Sequence, residues 1–375
     1  MKQKIYIDYN ATAPIRDSVI EIVASAMTTV GNPSSVHSAG RTARGLVEQA
    51  RIKIAALAGA RARDITFCSG GTEANNTVIL GSGCASLIIS KVEHDCGLAA
   101  ADTFDKPRFD LAVTQDGIVD LEELRRLLAD APKPALISVM MANNETGVLQ
   151  PIDKIIQIAQ EFDARVHTDA VQAAGKIPLD MAGLGADYLT LSSHKIGGPQ
   201  GVGAIVTAPT APLKPLIKGG GQELGRRSGT ENVAGVAGFG AAAIEAMDEI
   251  ADADRQRALR DQFESAVRSH ANEVVIVGAD SPRLANTSCV AMPGVKGETQ
   301  VMHFDLKSIC LSSGSACSSG KVKVSHVLTA MGYEPSVAES SIRVSIGRST
   351  TERDVDVLIN AWRELYDRTA ARAKR

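Results

Sequence analysis

Between residues 64 and 207 the sequence repeats one unit: a short apolar run, a polar turn, then an amphipathic stretch. Strand-like runs fall at 64–68, 86–90, 108–113, 135–140, 165–168, 187–191 and 202–207, with helical patterns between several of them, as at 72–80, 121–129 and 152–162. The run Ala135-Leu136-Ile137-Ser138-Val139-Met140 is almost continuously apolar, as befits a strand covered on both faces. Such alternation predicts the α/β class: a large domain with a mostly parallel, seven-stranded sheet flanked by helices. Helical patterns precede it at 17–28 and 37–58 and follow it at 231–250 and 254–270. Beyond 253 the strands and helices shorten, which predicts a smaller α+β domain. The expected division is 11–253 for the large domain, with 1–10 and 254–375 forming the small one. A chain of 375 residues is longer than one hydrophobic core usually serves.

Ligands of open α/β sheets bind beyond the carboxyl ends of the strands, and five stretches at such ends carry reactive groups. Ser69-Gly70-Gly71-Thr72-Glu73 opens a helix, where free amides hold phosphate; it reads equally as a plain Thr cap. Glu93-His94 follows the next strand, and a lone histidine there is compatible with a structural role. Asn143-Asn144-Glu145-Thr146-Gly147 is a binding loop or an Asn-rich turn. Asp169, ahead of Gln172, is a helix cap or the partner of a buried cation. Ser192-Ser193-His194-Lys195 is halted by Gly197-Gly198-Pro199, so no helix continues from it. Lys195 is a surface-loop lysine, or an amine desolvated at a strand end, whose lowered pKa suits a Schiff base. Together these fit one chemistry. A pyridoxal phosphate enzyme needs a Schiff-base lysine, an acid at the pyridine nitrogen and a phosphate cradle, and gains from a ring over the cofactor face. Lys195, Asp169, the Thr72 loop and His94 supply all four.

On these segments the chain resembles the class V aminotransferase family, and within it cysteine desulfurases of the NifS/IscS type with pyridoxal phosphate fold type I. The matching segments extend to Tyr6-Ile7-Asp8-Tyr9-Asn10-Ala11-Thr12, Gly31-Asn32-Pro33-Ser34-Ser35, Arg227-Ser228-Gly229-Thr230, Ser312-Ser313-Gly314-Ser315-Ala316-Cys317 and Ser341-Ile342-Arg343. The resemblance implies that Lys195 carries pyridoxal 5'-phosphate, Asp169 pairs with the pyridine nitrogen, Gln172 bonds the phenolic oxygen and His94 stacks on the ring. Gly71, Thr72, Ser192 and His194 would hold the phosphate, and Thr230 would reach it from the second subunit of a homodimer. Asn144 and Arg343 would bind the carboxylate of the substrate, L-cysteine, the arginine fork engaging both oxygens.

Cys317 distinguishes the reaction. By itself it is a structural cysteine or, in its Ser/Gly-rich loop, an exposed nucleophile. The resemblance implies the nucleophile: L-cysteine is converted to L-alanine, and a persulfide forms on Cys317 and passes to an iron-sulfur scaffold or another sulfur-acceptor protein. An aminotransferase of the same fold would not need it; a selenocysteine lyase would share the fold with another substrate, and a non-catalytic carrier would not need Lys195 and Asp169. No resident metal is expected, although Cys317 would be available to ligate a nascent iron-sulfur cluster. The distance from Cys317 to Arg343 is long, as in the scaffold-serving desulfurases. Ala13 and Ser193 depart from the usual pattern, and Cys96, two residues past His94, is a packing residue or a second thiol near the cofactor.

Composition narrows the alternatives. Net charge of -3 and 3% aromatic residues give no footprint for nucleic acid. No run reaches the roughly 18 to 20 apolar residues of a membrane span. Six cysteines without CxxC spacing argue against a zinc site and a secreted disulfide framework, so a cytoplasmic location is expected. Gly238-Phe239-Gly240-Ala241-Ala242-Ala243 mimics a dinucleotide fingerprint but lies inside an Ala/Gly-rich helical pattern rather than after a strand.

Overall fold

The structure, a computed structural model, describes residues 4–314 and 324–373; Cys317 lies outside the described residues. Its strands are β1 (Ile5–Tyr6), β2 (Ile65–Cys68), β3 (Ser86–Ser90), β4 (Arg108–Leu111), β5 (Ala135–Ser138), β6 (Ala164–Asp169) and β7 (Tyr188–Ser192). They continue as β8 (Gly203–Thr207), β9 (Val275–Ile276), β10 (Thr287–Ala291), β11 (Ile309–Cys310), β12 (Ser312–Ser313) and β13 (Ser341–Ser345). Seven form one sheet in the order β2-β8-β7-β6-β5-β3-β4. Pairing is parallel from β7 to β4, and β8 is antiparallel to both of its neighbours. This is the mostly parallel seven-stranded α/β sheet that the alternation predicts. β3, β5, β7 and β8 are buried at every position, as strands covered by helices on both faces must be.

The helices facing the sheet follow their sequence signals. Ser38–Ala58 is capped by His37, whose side chain accepts from Gly40 N, and ends at Gly59 in the left-handed conformation, which costs glycine nothing. Asp120 caps Leu121–Asp130 by accepting from the amides of Glu122 and Glu123. The fingerprint mimic 238–243 lies within the helix Val233–Glu249, where a Cβ on Gly240 would stand 2.7 Å from the Ala50 Cα. Those glycines allow close helix packing and bind no dinucleotide phosphate.

A second sheet, β12-β13-β10-β9, is antiparallel, and β1 pairs in parallel with β11. It has its own apolar cluster, with Phe263, Val290, Phe304, Ile342 and Trp362 buried together. The first strand, β1, spans two residues because the chain then changes partners. Ile7 N donates to Cys310 O, whereas Tyr9 N donates to Ser345 O. The helix Asp95–Asp102 was absent from the sequence pattern; its run of small residues hides the periodicity, and His94 caps it.

One buried ion pair ties the 219–230 loop to the large sheet. Glu223 and Leu224 take φ of 47° and 57°, an unfavourable conformation for residues with side chains. Glu223 accepts from Arg51 Nη1 at 2.8 Å, Arg51 Nη2 at 2.7 Å and Phe67 N at 2.8 Å. Removing the cation would strand a buried carboxylate, so Arg51→Met should lower unfolding stability by about 3–5 kcal/mol in urea titrations. A loss under about 1 kcal/mol would contradict this account.

Candidate active site

The carboxyl ends of β2, β3, β5, β6 and β7 open onto one cavity of about 280 Å³. Gly71, Thr72, His94, Asn144, Asp169, Gln172, Ser192, His194, Lys195 and Arg343 all line it, so ten of the twelve residues singled out in the sequence converge. Thr230 is exposed and lines a separate cleft with Phe67, Ser69 and Arg227. Cys317 is outside the described residues.

Gly70, with φ of 154° and ψ of -178°, turns the chain from β2 into the helix Gly71–Gly81. A Cβ on Gly71 would lie 3.1 Å from Val171 Cγ2 and 3.7 Å from Ser192 Cβ, so the bare glycine leaves room beside Ser192. Ser192 ends β7, and the short helical turn Ser193–Ile196 places His194 and Lys195 directly after it. His194 Nδ1 lies 3.1 Å from Thr12 Oγ1. Burial and the neighbouring Lys195 push the imidazole down to about 4, which keeps it neutral at physiological pH. Lys195 Nζ donates to Asn10 O at 2.5 Å and Ala11 O at 2.8 Å.

Asp169 is the last residue of β6 and is buried. Its Oδ2 accepts from Asn75 Nδ2 at 2.6 Å, and its Oδ1 from Val171 N at 2.8 Å. Each carboxylate oxygen has two lone pairs, so both bonds leave acceptor capacity towards the cavity. Asn75 is itself oriented by Thr190 Oγ1, which donates to Asn75 Oδ1 at 2.6 Å. His94 Nδ1 accepts from Cys96 N at 3.2 Å and lies 3.0 Å from Cys96 Sγ, leaving Nε2 to carry the proton of the neutral ring. Burial lowers the His94 pKa, and Asp169 opposes that shift. Burial pushes the Cys96 thiol up to about 12.

Arg343, on β13, is buried and reaches across from the second sheet. Its Nη1 donates to Asn144 O at 3.1 Å and its Nη2 to Asp8 Oδ1 at 2.9 Å. Arg343 Nε and Asn144 Oδ1 are buried without a hydrogen-bond partner among the described residues. Buried polar atoms are rarely left unpaired, so this corner of the cavity is built for a polar guest. The donors at the mouth, the acceptor at Asp169 and the amine at Lys195 suit a phosphorylated pyridine aldehyde. Among the described residues, no group of three or more His, Cys, Asp or Glu is placed to hold a metal ion. No described helix is long and apolar enough to cross a membrane.

The comparisons agree with this geometry. The family model described as aminotransferase class-V matches residues 5–358. The chain belongs to that family. Class-V aminotransferases are pyridoxal phosphate enzymes, and this chain is one of them. A cysteine desulfurase IscS of Dictyoglomus turgidum is 40% identical, with 98% of this chain and 96% of the relative covered. An IscS-like cysteine desulfurase of Mycobacterium tuberculosis is 37% identical over 99% of this chain and 97% of its own length. Among solved structures, a NifS-like protein from Rickettsia africae superposes with a TM-score of 0.91 at 39% identity, covering 97% of this chain and 100% of that one.

Three residues that shape this family member's site were not given roles from the sequence: Asn10, Asn75 and Lys176. Asn75 was accessible to pattern reasoning, because three residues after Thr72 on a helix puts it on the same face. Asn10 and Lys176 reach the site only through tertiary contacts.

Behind Asp169, His167 is buried between Ser138 Oγ at 2.9 Å and Thr190 Oγ1 at 3.3 Å, and burial pushes its pKa down to about 3. The folded protein therefore keeps it neutral, while the unfolded chain takes up a proton below about 6.5. Its effect on stability is nil above about pH 6.5 and grows by about 1.4 kcal/mol of destabilisation per unit as pH falls towards the folded pKa. In urea unfolding across pH 4–7, His167→Gln should lose stability less steeply with acid than the parent; parallel slopes would refute the assignment.

Proposed function

We infer that the protein is a pyridoxal phosphate-dependent cysteine desulfurase. L-cysteine and an enzyme thiol become L-alanine and an enzyme persulfide. The carbon–sulfur bond is reduced to carbon–hydrogen while the receiving thiol sulfur is oxidised, so no outside oxidant or reductant is needed. The convergence of Lys195, Asp169, His94 and Arg343 on one cavity carries this reading, in a chain similar over nearly its whole length to named cysteine desulfurases.

When bound, the cofactor supplies an electron sink for charge that develops on the substrate carbon. The residues hold and orient the reactants. Lys195 Nζ is the point of attachment, and two backbone carbonyls, of Asn10 and Ala11, keep the amine directed. The same amine would be the base that moves the substrate α-proton. Asp169, held by Asn75 and Val171 N, accepts from the ring nitrogen and holds a proton there. Gln172 donates to the phenolic oxygen. Gly71, Thr72, Ser192 and His194 surround the phosphate. Neutral His94 covers the ring face with its Nε2 proton directed away from Cys96. Asn144 and Arg343 would hold the substrate carboxylate, and Arg343 Nε is a donor without a partner among the described residues.

Cys317 is assigned as the thiol that receives sulfur, and an iron-sulfur scaffold as the class of acceptor. Thr230, exposed and not among the residues lining this chain's own cavity, is assigned to the phosphate site of a second copy, which makes the active form a homodimer. The division into 11–253 and 1–10 with 254–375 belongs to the same reading and is supported by the two separate apolar clusters. A cytoplasmic location fits the five free cysteines among the described residues.

Two substitutions test the assignments. Cys317→Ser should retain the visible absorbance of the bound cofactor and lose sulfide release from L-cysteine in the presence of thiol; undiminished release would refute the role of Cys317. Lys195→Ala should lose the visible absorbance of the attached cofactor together with alanine formation. Alanine production at the parent rate would refute Lys195 as the anchor.

A further inference from the structure

Lys176 is a half-buried lysine whose amine the chemistry above does not use. Its Nζ donates to Gln172 Oε1 at 2.8 Å and to Asn10 Oδ1 at 2.9 Å. Both acceptors are neutral amide oxygens, and the charges that bear on it most, Lys195 and Arg343, are cationic. A small cleft behind it carries Tyr9, Arg16, Glu249 and Arg348. An uncharged amine has two N–H donors, which matches these two acceptors; an ammonium would bring a third donor. Burial, followed by the two neighbouring cations, pushes the Lys176 pKa well down, in the same direction.

Both N–H bonds of the uncharged amine are spent on oxygens, those of Gln172 and Asn10. The Gln172 atom facing it is therefore the oxygen, and the opposite end of that amide is the nitrogen. Gln172 Nε2 spends one hydrogen on Asn10 O at 2.9 Å, the same carbonyl that accepts from Lys195. Its second hydrogen is the donor available to a cofactor oxygen. Without Lys176 the amide could turn over and present an acceptor to an acceptor. The second contact, to Asn10 Oδ1, anchors the amine, because Asn10 is itself held by Thr287 Oγ1 at 2.9 Å and Asn286 Nδ2 at 3.2 Å.

We propose that Lys176 is a positioning residue whose amine locks the Gln172 amide so that it offers a hydrogen-bond donor, rather than an acceptor, to the phenolic oxygen of the cofactor. The proposal rests on the reading of Gln172 as the partner of that oxygen. A donor at this place stabilises the phenolate and so weakens the hold on the neighbouring nitrogen-bound proton. Its loss raises the pH at which the visible band of the loaded protein titrates.

The experiment is a pH titration of that band in cofactor-loaded Lys176→Met, Lys176→Gln, Gln172→Leu and the double variant Lys176→Met/Gln172→Leu. Lys176→Met and Gln172→Leu should each raise the midpoint by about half to one pH unit, the size expected of one hydrogen bond. Lys176→Gln, which keeps a donor, should return it towards the parent value. The double variant should shift no further than Gln172→Leu alone, and if Lys176→Met fails to fold, a Lys176→Gln midpoint displaced as far as that of Gln172→Leu would overturn the role of a donor at this position. An unchanged Lys176→Met midpoint beside a shifted Gln172→Leu, or additive shifts in the double variant, would overturn the role of Lys176. An unchanged Gln172→Leu midpoint would instead overturn the reading of Gln172.

Discussion

The carbonyl oxygen of Asn10 accepts from Lys195 Nζ and from Gln172 Nε2, and much of the site depends on where that one backbone oxygen sits. Its position is set from outside the large sheet. Asn10 N donates to Ser345 Oγ, Tyr9 N to Ser345 O and Ile7 N to Cys310 O. On the other side, Ala13 N donates to His194 O. Residues 7–13 therefore bind the second sheet to the loop that carries Lys195, and the Asn10 side chain adds bonds to Thr287 Oγ1 and Asn144 O. Two backbone carbonyls, of Asn10 and Ala11, give the Lys195 amine its direction.

Charge in the cavity is divided accordingly. Lys195 and Arg343 are cationic and Asp169 is anionic, while His94 and His194 are held neutral by burial. Neutral imidazoles can donate or accept without adding repulsion between the two cations. Asp8 moderates Arg343 from behind, and its other oxygen accepts from Ser312 Oγ at 2.7 Å, at the start of the segment that leads to Cys317. Arg343 and Ser312 thus share one carboxylate.

Much of this was legible along the chain. β3 begins and ends where the strand-like run 86–90 does, because a strand buried on both faces shows its limits directly in hydrophobicity. Lys195, Asp169, His94 and Thr72 were legible as a group because each follows a strand, and a parallel sheet delivers the residues after its strands to one edge. The helix Asp95–Asp102 was not, since Gly97, Ala99, Ala100 and Ala101 leave no apolar stripe. Nor were Asn10 and Lys176 as partners: 166 residues separate them, and amides and amines carry no periodic signal.

By itself the sequence determined the α/β class, the edge on which chemistry gathers and the reactive residue types, because hydrophobic period and chain punctuation are local properties. The tertiary structure alone decided which atoms face one another: that Asn75 orients Asp169, that Arg343 crosses from the second sheet, and that the Gln172 amide turns its oxygen to Lys176. Those outcomes come from packing two sheets against one short N-terminal segment. Hydrogen-bond direction in a buried network is set by every partner at once, and no single stretch of chain contains them all.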